Sequence, residues 1–190
     1  WSWKPDDKLK SLKECIHILV RCAAGDGNLA LNTNPMPDGQ IEPRQADSFR
    51  KIGQWLAKYG DSIYGTRGGP VVAPDMGSRT FNTDLHGFAK PAGRWWGGST
   101  RKDNRIYLHV LRWPAETLEL PAISRKVVSH KVLTGGQGEL KQSDAGLSVS
   151  VPAAQRDTVD TIIELTLDGP AADVAVVKQA SHSLAFGKKA

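Results

Sequence analysis

The order of apolar and polar residues predicts two helices in the first third of the chain. Ser11 and Glu14 have the spacing of a capping box, and apolar residues follow at helical spacing, which predicts a helix over residues 11–24. Pro43 suits a first helical position, and Gly60 suits a left-handed C-terminal cap, so a second helix is expected between them. The polar side of the first helix carries Lys13, His17 and Arg21. The buried stripe of the second is expected to contain Phe49, Ile52, Leu56 and Tyr59.

Between these helices, residues 28–32 predict a short strand that is buried on both faces, as parallel strands are. One such strand has no neighbours in this chain, so its edges would be unpaired. Helix–strand–helix with short loops is the repeating unit of a TIM-type (β/α)8 barrel. A barrel needs about 250 residues, so most of it would lie outside this chain.

Beyond Pro74 the helical period gives way to alternating and β-branched runs, which predict strands. Turn signals separate these runs, among them Gly97-Gly98, residues 102–104 and a glycine-rich hairpin turn at 134–138. The pattern is typical of an all-β antiparallel sandwich. We therefore expect a barrel segment over residues 1–70 and a β-sandwich over 71–190. The predicted strands are residues 79–83, 105–111, 126–133, 146–151 and 161–167.

Composition and charge exclude several classes of protein. The net charge is +5, but the basic residues are scattered among acidic ones, which argues against a nucleic-acid partner. No stretch approaches the roughly 20 apolar residues of a membrane-spanning helix. Cys15 and Cys22 lie two turns apart on one predicted helix, too far for a mutual disulfide, so both are expected to be free.

Other residues that could carry chemistry have simpler interpretations. Asp6 and Asp7 are neighbouring carboxylates, but a solvated loop is favoured over a catalytic role. Asp38 is expected to form a turn. Trp95 and Trp96 would suit a sugar-binding platform, yet a place in the core is favoured. The histidines show no ligand spacing, so we expect no metal and no cofactor.

Several motifs occur in an ordered series along the chain. They are Trp-Ser-Trp-Lys at 1–4, Gly-Asn-Leu-Ala-Leu-Asn at 27–32, Pro-Met-Pro-Asp-Gly-Gln-Ile at 35–41, Gly-Gln-Trp-Leu at 53–56 and Ile-Tyr-Gly-Thr-Arg at 63–67. This series resembles the end of the catalytic domain of α-L-fucosidases of glycoside hydrolase family 29. The strands at 105–114 and 164–170 are similar to that family's C-terminal sandwich.

The resemblance implies that residues 28–32 are the eighth strand of the barrel and that the helix before them is the seventh. Trp1 and Trp3 then lie on the C-terminal face, where barrel enzymes bind substrate. The family's reaction is retaining hydrolysis, with an Asp nucleophile and a second carboxylic acid. Neither has a counterpart here, since both belong upstream. This chain alone is therefore expected to be inactive.

Trp1, Trp3 and Asn32 are the candidate substrate-binding residues. An indole suits the methyl group and apolar ring face of fucose, although plain packing is an equal alternative for Trp1. Asn32 and Asn34 end the predicted strand, and fixing the loop is favoured over contact with substrate. The expected partners are a fucosylated glycan and the remainder of the barrel. A secreted, periplasmic or lysosomal location would follow from the resemblance.

Two other interpretations stay open. One is a non-catalytic carbohydrate-binding sandwich, which would bind fucosylated glycans by itself. The other is a structural or inactive relative whose barrel lacks the nucleophile.

Overall fold

A computed structural model describes residues 2–74 and 95–179 of the chain. Two α-helices come first, α1 (Leu12–Ala24) and α2 (Pro43–Tyr59), and a 3-10 turn (Gly60–Ser62) follows α2. No helix among the described residues is long and apolar enough to cross a membrane. The strands are β1 (Arg67–Gly68), β2 (Val71–Val72), β3 (Gly97–Lys102), β4 (Arg105–Val110), β5 (Thr117–Leu120), β6 (Val127–Val132), β7 (Glu139–Ser143), β8 (Gly146–Ser150), β9 (Thr161–Leu167) and β10 (Val177–Lys178).

Helix α1 begins and ends where the sequence predicts. The Glu14 amide donates to Ser11 Oγ at 3.2 Å, and the Ser11 amide donates to Glu14 Oε2 at 2.7 Å, so the capping box is formed. Gly25 caps the C-terminus through its amide, and the left-handed residue is the next one, Asp26, with φ +58°. Cys15 is buried and both cysteines are free, as expected.

The polar side of α1 is only partly exposed: Lys13 is exposed, whereas His17 and Arg21 are half-buried. His17 is half-buried, its Nε2 donates to the Val159 carbonyl at 2.8 Å, and its ring meets Trp95 edge-on. The Arg21 guanidinium lies 5.7 Å from the Trp95 ring centroid. This side of α1 thus packs against Trp95, where Arg21 makes a cation–π contact and His17 an edge-to-face contact.

Helix α2 begins at Pro43 as predicted, but the role assigned to Gly60 was wrong. Gly60 has φ −60° and ψ −23°, an ordinary right-handed conformation that continues into the 3-10 turn. A Cβ atom here would lie 2.9 Å from the Tyr64 ring, so a larger residue would displace that ring. The predicted buried stripe is also incomplete, because Phe49 is 39% exposed while Trp55 is buried.

No strand forms at residues 28–32, where one was predicted. Among the described residues, none pairs with this stretch as a strand. The nearest bridge, between Pro35 and Ile41, lies beyond it. Leu29 and Leu31 are half-buried, whereas the residues on either side of each are exposed. This alternation is typical of an extended chain covered on one side only, not of a strand buried on both faces.

The sheets are mostly antiparallel, as predicted for the second region. Five strands form one sheet in the order β1-β3-β4-β9-β6, and a second sheet has the order β5-β8-β7. Strand β4 is buried on both faces: Ile106 and Leu108 point to one side, Tyr107 and His109 to the other. The buried residues of the three-stranded sheet belong to the same core as β4 and β9. This arrangement is consistent with a β-sandwich.

Three sequence signals at glycines or turns had different outcomes. The turn at residues 102–104 is confirmed and joins β3 to β4. Gly97 and Gly98 were predicted to form a turn but lie inside β3, where a Cβ on Gly97 would meet the His109 carbonyl oxygen at 1.8 Å. Residues 134–138 do not form a hairpin turn, because β6 and β7 belong to different sheets. The strand predicted at 79–83 lies outside the described residues.

Candidate functional site

A cleft lies between the N-terminal segment, the loop after residue 31 and the first turns of α2. Its volume is about 200 Å³. Trp3 and Asn32 both line it, although 29 residues separate them in sequence, and Phe49 from α2 lines it too. The structure thus brings two of the three predicted substrate-binding residues into one cleft. Trp1, the third, lies outside the described residues.

Trp3 is half-buried in this cleft and its indole N–H is already paired. Nε1 donates to Glu42 Oε2 at 3.2 Å, a contact that bridges 39 residues of sequence. Since an indole has one donor and no acceptor, Trp3 can offer a ligand only its apolar ring surface. Such a surface suits the apolar face of a sugar.

Asn32 is exposed, and its side chain has no hydrogen-bond partner among the described residues. The neighbouring loop is fixed differently from expectation. The Asn34 backbone amide donates to Gln45 Oε1 at 3.2 Å, and the Thr33 hydroxyl donates to the same oxygen. Gln45 therefore holds the loop, and Asn32 lines the cleft without a part in fixing it. Its role in binding substrate stays a prediction.

Glu42 connects the parts of the cleft wall and was missed by sequence reasoning. This carboxylate is 7% exposed and accepts from Trp3, from Gln45 Nε2 at 3.2 Å and from Arg44 Nε. Arg44 also donates to the Pro5 carbonyl at 3.0 Å. The hydrogen bond from Arg44, helped by those from Gln45 and Trp3, lowers the pKa of Glu42. The sequence signal that points to Glu42 is its spacing from Gln45 at the start of the second predicted helix.

Other acidic residues have structural partners. Asp7 lines the cleft, but its Oδ1 accepts from the Lys8 amide at 3.0 Å in an exposed loop. Asp38 accepts from the Gln40 amide at 3.0 Å, which confirms the predicted turn. Asp26 pairs with the Arg67 guanidinium and with the Gly68 amide, and the bond from Arg67 lowers the pKa of Asp26. None of these arrangements requires a catalytic role.

Trp95 and Trp96 belong to the core, as favoured from the sequence, and are 5% and 1% exposed. One histidine, His109, pairs with a carboxylate: its Nδ1 lies 2.7 Å from Asp160 Oδ2. Both side chains are fully buried away from the cleft, between β4, β9 and Ser62. Within residues 2–74 and 95–179, no group of three or more potential metal ligands comes together.

Comparisons with known proteins agree with one another. The family model for α-L-fucosidase matches residues 1–61. The α-L-fucosidase of Branchiostoma floridae is 29% identical over 149 residues, which cover 75% of this chain and 29% of that protein. Human tissue α-L-fucosidase is 28% identical over 159 residues, which cover 80% of this chain and 30% of that protein. The chain therefore spans about a third of the length of these curated relatives.

A solved structure extends the similarity to the fold. α-L-Fucosidase isoenzyme 1 from Paenibacillus thiaminolyticus superposes with a TM-score of 0.67 and 28% identity, over 88% of this chain and 37% of that one. Together, the family model, the curated relatives and the solved structure point to the α-L-fucosidases of glycoside hydrolase family 29, and this chain is similar to their C-terminal part.

Proposed function

We propose that this chain is the C-terminal part of a retaining α-L-fucosidase that removes terminal L-fucose from glycans. Its residues 1–70 would complete a (β/α)8 barrel, and its sandwich would support that barrel. Trp1, Trp3 and Asn32 would form one wall of the fucose pocket. The observation that carries the proposal is the cleft that Trp3 and Asn32 both line. It lies beside an extended segment that has no strand partner among the described residues.

The catalytic carboxylates would come from the part of the protein that precedes this chain. A retaining glycosidase needs two carboxyl groups about 5–5.5 Å apart. Among the described residues that line the cleft, Asp7 is the single carboxylate, and it is engaged by the Lys8 amide. This arrangement supports a wall that binds and orients substrate without performing the chemistry.

The decisive experiment compares this chain with the longer protein that would contain it, using an aryl α-L-fucoside. We expect the longer protein to hydrolyse the fucoside and the 190-residue chain to be inactive. In the longer protein, Trp3→Ala should raise KM by about tenfold or more, since an aromatic contact with a sugar is lost. Trp113→Phe is the matched control. Trp113 lies outside the cleft, and the Arg156 guanidinium carbon is 4.1 Å from its ring centroid.

Hydrolysis by the 190-residue chain alone would contradict the assignment of the carboxylates. Absence of hydrolysis by the longer protein would contradict the fucosidase proposal. Saturable binding of a fucose-terminated glycan by the chain alone, combined with that absence, would favour the alternative, a non-catalytic carbohydrate-binding module.

A further inference from the structure

The carboxylate of Glu42 lies where three separate segments of the cleft wall meet. It accepts from the Trp3 indole on the N-terminal segment and from Gln45 on α2. Through Gln45 it reaches the loop at Thr33, and through Arg44 it reaches the carbonyl of Pro5. The three segments are far apart in sequence, so this polar network determines how they are arranged around the cleft.

The simplest role for an acidic residue at this position would be to cap α2. Glu42 is the N-cap residue, but its side chain makes no capping hydrogen bond. Both oxygens instead point to side-chain donors from Trp3, Arg44 and Gln45. A buried carboxylate accepts several hydrogen bonds at once and donates none, which suits a group that orients donors.

From this geometry we infer that Glu42 is the positioning residue that fixes the Trp3 indole in the cleft, with the ring surface presented to ligand. The inference that the ligand is a fucose unit rests on the proposed function, whereas the fixing of Trp3 does not. Glu42 acts through Trp3 and touches no reacting atom. It also restricts Trp3 to apolar contact, because the only donor of the indole is already used.

The test is a measurement of the Trp3 indole N–H by NMR in the 190-residue chain, with the resonance assigned by Trp3→Phe. A charge-assisted hydrogen bond should shift this proton downfield and slow its exchange with water. In Glu42→Ala the proton should move to the position of a free indole and exchange about tenfold faster or more. Glu42→Gln keeps the size and one acceptor oxygen, so an intermediate shift and exchange rate are expected.

The matched control is Asp47→Asn, which also removes a carboxylate from α2. Asp47 is exposed and pairs with Lys51 at 2.7 Å, without contact to the cleft. This variant should leave the Trp3 resonance unchanged. An unchanged Trp3 resonance in Glu42→Ala would overturn the inference. If Glu42→Ala fails to fold, an unchanged resonance in Glu42→Gln overturns it equally.

A second measurement tests the consequence for substrate in the longer protein. There Glu42→Ala should raise KM for an aryl α-L-fucoside by about tenfold while kcat changes less, because a binding wall is disturbed and the reacting groups are not. If the unmodified longer protein does not hydrolyse the fucoside, the proposed function fails and the NMR result still decides the inference. If it does hydrolyse the fucoside and Glu42→Ala leaves KM unchanged, the assignment of a fucose unit to the Trp3 ring fails, while the NMR result still decides whether Glu42 fixes Trp3.

Discussion

The helical region and the sheet region of this chain bury their apolar residues to different extents. In the sheets, Ile106, Leu108, Ile163 and Leu165 are all 0% exposed. In α2, all of which the structure describes, Trp55 is the one buried residue. Sheets and helices thus share one core, to which α1 contributes Ile16 and Val20, both 0% exposed, whereas most of α2 lies outside it.

This difference teaches how the two regions depend on further structure. The strands satisfy one another through antiparallel pairing across most of the five-stranded sheet. Residues 28–34 have no such partners, and Phe49 is left partly exposed beside them. An element with unpaired backbone and open apolar surface is expected to gain stability from a neighbour, which the proposed barrel would provide.

The largest expected effect that tests this comparison comes from core truncation. Ile163→Ala should lower the free energy of unfolding by about 2–5 kcal/mol, because it leaves a cavity in β9. Phe49→Ala should cost less than about 1 kcal/mol in this chain, since much of the ring is already in water. Urea denaturation of both variants measures the difference. Equal losses would contradict the view that β9 is more fully packed than this side of α2.

The second prediction contrasts two glycines with opposite surroundings. Gly97→Ala should destabilise by about 1–3 kcal/mol, because the new methyl group would collide with the His109 carbonyl. Gly53→Ala should stabilise by about 0.5–1 kcal/mol, since its α2 position is open and alanine favours helix. Thermal unfolding should show shifts of opposite sign. A loss of stability in Gly53→Ala would mean that α2 is covered there.

The third prediction concerns the start of α1. Ser11→Ala should lower the free energy of unfolding by about 1 kcal/mol, because the Glu14 amide loses its acceptor. Ser11→Asp retains a capping oxygen and should stay within about 0.5 kcal/mol of the original chain. Denaturant midpoints of the two variants provide the comparison. If both variants lose stability equally, the hydroxyl contributes through something other than capping.

How much of this could be predicted from sequence depends on the distance over which a signal acts. Ser11 and Pro43 act within one helical turn, and the helix starts that they predict are confirmed. Gly97 carries a local turn signal, but its reason for being glycine is the His109 carbonyl on the neighbouring strand. Local patterns therefore predict where elements begin and end better than what lies beside them.

The candidate site shows the same limit. Trp3 and Asn32 were predicted through the family resemblance, and the cleft brings them together. Glu42 could not be found in this way, because its contact with Trp3 spans 39 residues and depends on how the loops fold. Likewise the amphipathic pattern of α1 assigned His17 to the polar side, but polarity alone cannot reveal that the Trp95 ring packs against it.

The smallest expected effect lies at the junction of the two regions, where Asp26 after α1 pairs with Arg67 of β1. The hydrogen bond from Arg67 lowers the pKa of Asp26, so the folded chain binds a proton there less readily than the unfolded chain. The stabilisation is therefore present above the ordinary aspartate pKa of about 3.9 and is lost as pH falls through the lower folded value. Asp26→Asn removes it while retaining a residue that tolerates the left-handed backbone.

The original chain should consequently be slightly more stable than Asp26→Asn at neutral pH, and the two should converge below about pH 4. Because both side chains are largely exposed, added salt should also reduce the difference. Urea midpoints at several pH values and two salt concentrations measure these trends. A difference that stays constant with pH would mean that the Asp26 carboxylate contributes through turn geometry alone, and that the helical and sheet regions are joined by packing without help from this ion pair.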